Sequence, residues 1–456
     1  MTRALAPAPT GLKPVLGNYG MPGLGYGPAY IRDPLTLWQQ RYRELGPVSW
    51  HGAFGMRMVA LLGPDACAAA LVNGDKAFAN GPGWGKFIGP FFERGLMLLD
   101  FDEHRTHRRI LQQAFTTERL ARYVEALHPA ITAGLDRWAP ATDFRAYPAT
   151  KALTLDLATG IFMGGHEGTS ADEMAKVNQA FIACVQAGTS YVRLPLPGNR
   201  WRRGLVGRKV LERFLRAYLP ARRSGGGDDL FSVLCHIESE DGQRFSDTDI
   251  VNHMIFLLMA AHDTSTITVT TMLGYLGQHR EWRERCREES AALGTAEPSL
   301  ERLAELRSLE LVMKECQRLV SPVPSLARKA VRDTDVLGHF IPAGTMVSVA
   351  LHFTHHMAEY WPDPERFDPG RFSDERREDR VHRYAWEPFG GGAHKCIGMH
   401  FSNAEVKAVM HHLLLRFDWE VDPEYRAPMD YTALPFPKDG QPIDLRVLRT
   451  SRAAVA

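Results

Sequence analysis

One cysteine near the carboxyl end of the chain has surroundings that favour a reactive thiolate. The segment FGGGAHKCIGMHFSNAEVK, residues 389–407, places Cys396 directly before a strongly helical pattern. Unpaired N–H groups and the positive end of the helix dipole stabilise a thiolate at such a position. Gly390, Gly391 and Gly392 let the main chain press against something flat, because glycine has no Cβ. The segment predicts a thiolate that binds a metal or a reaction partner, and a buried inert cysteine is the alternative.

A long apolar segment is interrupted by small and hydroxyl-bearing residues in LLMAAHDTSTITVTT, residues 257–271. Serine and threonine can bond to backbone carbonyls and bend a helix, while Ala260 and Ala261 leave room beside it. Such a site could hold a small molecule and deliver protons from Asp263 and Thr264. Adjacent residues point about 100° apart on an ideal helix, so a local widening or π-type bulge at 260–264 is expected to let them cooperate through water. An ordinary buried helix with a satisfied threonine is the alternative.

A third pattern could build a buried ion cluster. VMKECQRLV places Glu315 and Arg318 three apart on one helix face, where they can pair. The proline-broken segment YWPDPERFDPGRF, residues 360–372, supplies Arg371 as a third member. Burial of all three would pin this segment beneath the cysteine loop, because an unpaired buried charge is costly. The alternative is a surface pair of little energetic worth.

A cationic helix precedes these motifs. DEHRTHRRILQQAF, residues 102–115, sets His104 and Arg108 four apart on one face, a pair suited to carboxylates. Arg105 and Arg109 form a second pair, turned part-way round the helix. Such a run of charge, taken alone, is usually a solvated face.

The elements that must position these motifs are mainly helical. Apolar residues recur at helical spacing over four long segments: 119–139, 171–188, 203–220 and 246–275. Strand patterns are confined to short stretches: near 48, near 56, 335–352 and a late hairpin at 431–446. We therefore predict a mainly α fold with a small β portion in a single domain, 1–456. Coil is expected over residues 1–30, including GLGYG at 23–27, and a flexible connector over 222–229.

Composition excludes several classes of function. The chain of 456 residues has 54 Lys plus Arg and 53 Asp plus Glu, a net charge of +1 that gives no sign of nucleic-acid binding. The six cysteines show no CxxC spacing, which indicates reduced thiols in the cytoplasm and offers no paired ligands for zinc. The N-terminal residues have no apolar run long enough for a signal or a membrane anchor, so neither is expected.

Together these motifs resemble those of a cytochrome P450, a haem-thiolate monooxygenase. The cysteine-loop pattern Phe-Gly-x-Gly-x-(Arg or His)-x-Cys-x-Gly is matched by Phe389, Gly390, Gly392, His394, Cys396 and Gly398. The Glu-x-x-Arg pair and the later arginine of that family are matched by Glu315, Arg318 and Arg371. The oxygen-site motif is matched by Ala260, His262, Asp263, Thr264 and Ser265, with Ala261 where the family usually has glycine.

The resemblance implies a cofactor and its protein contacts. Haem b would lie between the oxygen-site helix and the cysteine-loop helix, with Cys396 as the axial thiolate and O2 as the co-substrate. Phe389 would pack near the sulfur, and backbone N–H groups after the cysteine, near Gly398, would tune it. The contacts to the haem propionates would come from His104, Arg108, Arg328 and His394.

The resemblance also places a substrate-covering loop at NGPGWGKFIGPFFERG, residues 80–95, which is markedly apolar. A lipophilic small-molecule substrate follows. Expected substrate contacts are Trp84, Phe87, Phe91, Ala260, Ala261, Leu326 and Leu434. Terpenoid, steroid or fatty-acyl hydroxylation ranks above sterol demethylation, because sterol demethylases usually carry histidine where Asp263 stands.

The haem domain uses the whole chain, so electrons are expected from separate proteins, a ferredoxin and its reductase, and ultimately from NAD(P)H. Arg105, Arg109 and Lys395 are candidate docking contacts for an acidic ferredoxin. A monomer from a bacterial source is expected. A peroxide-driven haem-thiolate enzyme and a non-enzymatic haem sensor are the alternatives, and the Asp263–Thr264 pair argues against both.

Overall fold

A computed structural model gives the structure of residues 2–164, 170–190 and 192–448. Helices form most of the regular structure in these residues. They are α1 (Gly27–Arg32), α2 (Pro34–Leu45), α3 (Pro64–Val72), α4 (Gly81–Ile88), α5 (Phe101–Gln112), α6 (Thr117–Leu135), α7 (Ala146–Met163), α8 (Ala171–Gly188), α9 (Arg200–Ser224), α10 (Leu230–His236), α11 (Asp247–Gln278), α12 (Arg280–Ala292), α13 (Leu300–Leu303), α14 (Arg307–Leu319), α15 (Leu351–Thr354) and α16 (Met399–Arg416).

The strands are short. They are β1 (Arg3–Ala4), β2 (Lys13–Pro14), β3 (Leu16–Asn18), β4 (Val48–Ala53), β5 (Met56–Leu61), β6 (Phe78–Ala79), β7 (Ala141–Arg145), β8 (Leu326–Ala330), β9 (Thr334–Val336), β10 (His339–Ile341), β11 (Met346–Val349), β12 (Phe417–Glu420), β13 (Met429–Asp430), β14 (Phe436–Pro437) and β15 (Pro442–Val447). The largest sheet has the order β1-β3-β4-β5-β11-β8-β6, and smaller sheets join β2-β10-β9, β12-β15-β7 and β13-β14. This mixture confirms a mainly α fold with a small β portion.

The helix α11 runs through the centre of the helical part. It begins after Ser246, whose hydroxyl accepts a hydrogen bond from the Asp249 amide at 3.1 Å. Most of its side chains are buried on all sides, and it packs against α7, α9, α14 and α16. A helix that is buried on all sides lies inside a large core. The helix α11 runs through the main hydrophobic cluster.

The predicted long helices all occur, with ends that differ by a few residues, because apolar spacing defines the middle of a helix better than its ends. Two other predictions differ from the structure. The expected coil over 1–30 contains β1, β2, β3 and the start of α1, since short strands are fixed by partners distant in sequence. The expected connector over 222–229 begins as helix, and Arg222 pairs with the partly buried Asp229 at 2.5 Å.

The late hairpin was predicted in the right place, but its strands belong to two sheets. Its first part pairs β13 with β14, whereas β15 lies between β12 and β7. Among the described residues, no helix is both long enough and apolar enough to cross a membrane.

Candidate haem-thiolate active site

The sulfur of Cys396 has an environment unlike that of the other five cysteines. Cys396 retains exposed surface, whereas the others are buried. Surrounding protein nevertheless raises the pKa of the Cys396 thiol, and the Gly398 amide and the cations Arg108 and Lys395 oppose this shift. A thiol that is enclosed by protein and still accessible lies in an internal recess. The Cys396 amide also donates to the Phe389 carbonyl at 2.9 Å, which closes the loop before α16.

The glycines of the cysteine loop allow a close contact with protein backbone that the sequence did not predict. Gly390 and Gly392 both have φ of +65°, a conformation that favours glycine. A Cβ on Gly392 would lie 1.8 Å from the carbonyl oxygen of Leu71, at the end of α3. At least one glycine therefore serves a close contact with protein backbone, in addition to any contact with a flat ligand.

The four predicted propionate contacts come together from three parts of the chain. His104 and Arg108 lie on α5, Arg328 on β8, and His394 in the turn before the cysteine. The rings of His104 and His394 have centroids 3.8 Å apart. Burial, together with the neighbouring His104, Arg328 and Arg108, lowers the pKa of His394 to about 2. Burial also lowers the pKa of His104 to about 4 and that of Arg328 to about 10.

Arg108 and Arg328 give this group a positive charge that fits an anionic ligand. Asp100 is an acidic group close to it, with an oxygen 3.9 Å from the His394 ring nitrogen, and burial raises the pKa of Asp100. The Nε2 atom of His104 is buried without a hydrogen-bond partner among the described residues. Buried polar atoms are normally paired, so this arrangement suits carboxylates bound between α5, β8 and the cysteine loop. These residues would therefore hold the propionates of a haem at this end of the site, beside Cys396.

The helix α11 keeps accessible surface where the oxygen site was predicted. Ala260, Ala261 and Thr264 are partly exposed, although the residues before and after them on this helix are mostly buried. The Thr264 hydroxyl donates to the Ala260 carbonyl at 2.8 Å. The expected π-type bulge is absent. Residues 247–278 form a continuous α-helix.

Asp263 points away from Thr264. It lies in a cluster of polar side chains that the sequence did not predict. Lys151 of α7 donates to Asp263 at 2.8 Å, and the His262 ring lies 3.3 Å from the same oxygen. Burial lowers the pKa of Lys151, but Asp263 and Tyr147 outweigh this effect, so its pKa is raised. An aspartate paired in this way can pass a proton only by exchanging this partner. The partners lie 112 residues apart, so spacing gave no signal of the pair.

A second buried carboxyl adjoins the same helix. The Ser265 hydroxyl donates to Glu405 of α16 at 2.5 Å, and burial raises the pKa of Glu405 to about 7. In the sequence, this contact was indicated only by the charged residue Glu405 among the apolar positions of α16. This contact joins the oxygen-site helix to the cysteine-loop helix, which are the two elements expected to enclose the haem.

The predicted ion cluster forms. Arg318 donates two hydrogen bonds to Glu315, at 2.7 and 2.9 Å, and Arg371 lies 3.4 Å from the same carboxylate. All three side chains are almost fully buried. Glu315 also accepts from the Asp368 amide at 2.9 Å, which attaches the proline-broken segment to α14.

The expected substrate contacts divide into two groups. Trp84 and Phe87 of α4, Leu326 of β8 and Leu434 near β14 are partly buried, which leaves surface for a ligand. Phe91 is 0% exposed and packs edge-on against Trp201 of α9, with ring centroids 4.9 Å apart. Its assignment as a substrate contact is wrong, because the apolar run 84–92 continues beyond α4 into the core and its pattern cannot distinguish a pocket from packing.

The candidate docking cations are exposed. Arg105 pairs with Asp102 at 3.2 Å on the surface of α5, and Arg109 and Lys395 are solvent-exposed. Lys395 directly precedes Cys396 in the chain, so this exposed cation lies close to the sulfur.

Comparison with known proteins gives the family directly. The family model described as Cytochrome P450 matches residues 14–443. The protein named cytochrome P450 136 in Mycobacterium tuberculosis is 47% identical over 443 residues, which cover 96% of this chain and 90% of that protein. Abscisic acid 8'-hydroxylase 2 of Arabidopsis thaliana is 27% identical and is matched over 94% of this chain and 88% of its own length. The solved structure of cyanobacterial CYP120A1 with retinoic acid bound is 28% identical, with a TM-score of 0.85 over 95% of this chain and 99% of that one.

Fold and site thus define a haem-thiolate enzyme of the mainly α type. The chain belongs to the cytochrome P450 family, and it is a monooxygenase. Membership implies haem with an axial cysteine, O2 as the co-substrate, and redox partners. Haem, when bound, supplies the activation of O2.

Proposed function

We propose that Cys396 is the axial ligand of haem b and that the enzyme hydroxylates a terpenoid small molecule. The observation that carries the cofactor assignment is the enclosed but accessible thiol of Cys396, beside a buried cationic group that suits two propionates. The roles of His104, Arg108, Arg328 and His394 as propionate contacts are part of this proposal.

The substrate class follows from the pocket and from the relatives together. Trp84 and Phe87 of α4 and Ala260 and Ala261 of α11 are partly exposed and apolar. Abscisic acid and retinoic acid, which appear in the names of two relatives, are both isoprenoid compounds. A terpenoid therefore ranks above a steroid or a fatty acyl chain, which stay the second and third classes to test.

The test is a screen of purified enzyme for shifts of the haem spin state. Diterpenoid, sesquiterpenoid, steroid and fatty-acid ligands should be compared at matched concentrations. Terpenoids are expected to give the largest shift toward the high-spin form and to be hydroxylated when reduced redox partners are supplied. A response confined to fatty acids or steroids would contradict the substrate class and leave the cofactor assignment intact.

Phe87→Ala should weaken binding of the best terpenoid. Loss of a ring that the ligand desolvates costs on the order of a few kcal/mol, which spectral titration measures directly. Phe91→Ala is the matched control: it should lower the free energy of unfolding by about 3–5 kcal/mol, because Phe91 lies in the core. Unchanged ligand affinity in Phe87→Ala would show that this ring only packs α4.

Asp263 and Thr264 are proposed to supply protons to the oxygen site. The Thr264 hydroxyl is partly accessible, and Asp263 is reached from solvent through Lys151, whose side chain is about one third exposed. Release of Asp263 from Lys151 would let the carboxylate exchange a proton with water beside Thr264. Asp263 and Thr264 can act at the same place only after the Asp263 side chain has left Lys151 and rotated toward Thr264.

Thr264→Ala should uncouple turnover. The variant should bind substrate and consume reductant normally but release hydrogen peroxide in place of hydroxylated product, which a peroxide assay and product analysis can quantify. Asp263→Asn should slow turnover and raise its solvent isotope effect. Thr268→Ala is the control, because its hydroxyl is buried and donates to the Thr264 carbonyl one turn away. Fully coupled turnover by Thr264→Ala would refute the relay.

We propose a ferredoxin and its reductase as the electron donors, with NAD(P)H as the ultimate source. The net charge of the chain is near zero, so steering depends on local cations such as Lys395, Arg105 and Arg109. The similarity to a mycobacterial protein supports a bacterial source and a donor of this kind. The cytoplasmic location, the single domain and the monomeric state stay predictions.

Reversal of charge at Arg105 and Arg109 should slow reduction by ferredoxin. The Arg105→Glu, Arg109→Glu double variant is expected to lose about tenfold in rate at low salt and less at high salt, because screening weakens steering. Stopped-flow reduction measures the rate, and substrate affinity should not change. Arg302→Glu, an exposed arginine of α13, is the control. Equal reduction rates in the double variant and the parent enzyme would exclude this docking face.

A further inference from the structure

Asp100 occupies the position before α5 at which an aspartate usually caps its own helix. Within the described residues, its carboxylate caps no amide of α5. It instead accepts hydrogen bonds from two amides at the start of α4: from Asn80 at 2.6 Å and from Gly81 at 2.9 Å. The carboxylate of Asp100 therefore attaches the start of α4 to the start of α5.

The helix α4 depends on contacts of this kind, because its sequence gives it little stability. Gly81, Gly83 and Gly85 lie within its eight residues, and glycine disfavours a helix more than any other residue except proline. The N-cap residue of α4 makes no side-chain cap in the described structure, and Pro82 has no amide to bind. The two hydrogen bonds to Asp100 therefore fix the first turn of α4.

A second contact sets α4 against the proposed propionate contacts. A Cβ on Gly83 would lie 2.8 Å from the Cα of Arg328, so α4 packs directly on the backbone of β8. The Asp100 oxygen that binds the Asn80 amide also lies 3.9 Å from the Nε2 atom of His394. Asp100 therefore stands between the start of α4 and the residues proposed to hold the haem propionates.

We propose that Asp100 is a positioning residue: it holds α4 beside the haem site and thereby sets the affinity for ligands that contact Trp84 and Phe87. Both rings belong to α4 and are partly buried. Ordering a segment on binding lowers affinity, so a helix that is held in place before the ligand arrives binds it more tightly. The effect on affinity rests on the proposed function, whereas the attachment of α4 does not.

Two other roles for Asp100 fit the structure less well. Direct contact with a haem propionate would bring two carboxylates together, and like charges repel. A role in the stability of α5 would require a cap on this helix, and Asp100 forms none with a described amide. The three roles predict different changes: in α4, at the haem, or in α5.

Hydrogen exchange tests the attachment of α4. Asp100→Asn keeps the shape of the side chain but replaces one acceptor oxygen with an NH2 group, so one amide of α4 loses its partner. In the haem-loaded enzyme, the amides of 81–88 should exchange about tenfold faster, whereas those of 101–112 should not change, as mass spectrometry of the peptides can measure. Asp102→Asn is the matched control, because Asp102 also lies at the start of α5 but its side chain is 79% exposed.

Spectral titration tests the effect on affinity without knowledge of the substrate. Imidazole and clotrimazole both ligate haem iron through an imidazole nitrogen, and clotrimazole adds a bulky apolar group. Asp100→Asn should weaken binding of clotrimazole about tenfold and leave binding of imidazole unchanged. Addition of Gly85→Ala should restore part of the lost affinity, because alanine favours a helix and a Cβ at this position would meet no described atom within 4 Å.

Unchanged exchange of α4 in Asp100→Asn would overturn the proposal, as would equally faster exchange in α5, which would assign Asp100 to the general stability of the fold. Equal weakening of clotrimazole and imidazole would place the effect at the haem and also overturn it. A parent enzyme that binds neither compound, or both equally, would instead contradict the proposed function. The exchange measurement does not depend on a ligand, so either proposal can fail alone.

Discussion

Cys396→Ser is expected to abolish the strongly red-shifted Soret band that the reduced, CO-treated enzyme should show. The band reports thiolate ligation, and a serine hydroxyl does not provide a thiolate. The five other cysteines are buried in α3, α8, α10, α12 and α14, outside the cysteine loop, so none of them can replace the lost ligand. Absorption spectroscopy of the purified variant is sufficient, and monooxygenase activity should be lost with the band.

Cys235→Ser is the matched control for this experiment. It also exchanges sulfur for oxygen, but at a buried position on α10 away from the cysteine loop. The red-shifted band should survive in this variant, with at most a loss of stability. Persistence of the band in Cys396→Ser would show that another side chain ligates the iron.

Glu315→Ala should have the largest effect on stability. It leaves Arg318 buried without its paired carboxylate, and Arg371 with Glu378 as its remaining acidic partner. Breaking a buried ion pair in this way costs about 3–5 kcal/mol, a large part of the stability of a typical domain. Urea unfolding followed by circular dichroism should show a markedly lower midpoint, with release of haem at lower denaturant.

The control for this variant is Glu305→Ala. Glu305 pairs with Arg302 at 3.0 Å, but both side chains are about half exposed, so the change should be within about 0.5 kcal/mol. A midpoint for Glu315→Ala equal to that of Glu305→Ala would mean that the cluster contributes no more than a surface pair.

The sequence predicted those parts of the site whose residues lie close together in the chain. Glu315 and Arg318 are three residues apart on one helix, so their pairing follows from helical geometry alone. The cysteine loop is similarly local, because its glycines, histidine and cysteine lie within a few residues. The predicted helices occur for the same reason, since apolar periodicity is read within one segment.

The parts that sequence missed depend on tertiary contacts. Lys151 and Asp263 meet only when α7 packs on α11, and Glu405 meets Ser265 only when α16 does. Phe91 carries the same apolar signal as Phe87, and only the position of Trp201 decides that it belongs to the core. The pairing of Asp263 with Lys151 is invisible in the local sequence, which therefore predicted a π-type bulge where the helix is regular.

The close approach of Gly392 to Leu71 limits which residue can stand at position 392. A Cβ there would lie 1.8 Å from a backbone oxygen, which cannot move aside as a side chain can. Any other residue at this position must therefore displace either the end of α3 or the cysteine loop, and with the loop the sulfur of Cys396. The packing of α3 thus constrains the position of the thiol, although Leu71 lies more than three hundred residues before Cys396 in the chain.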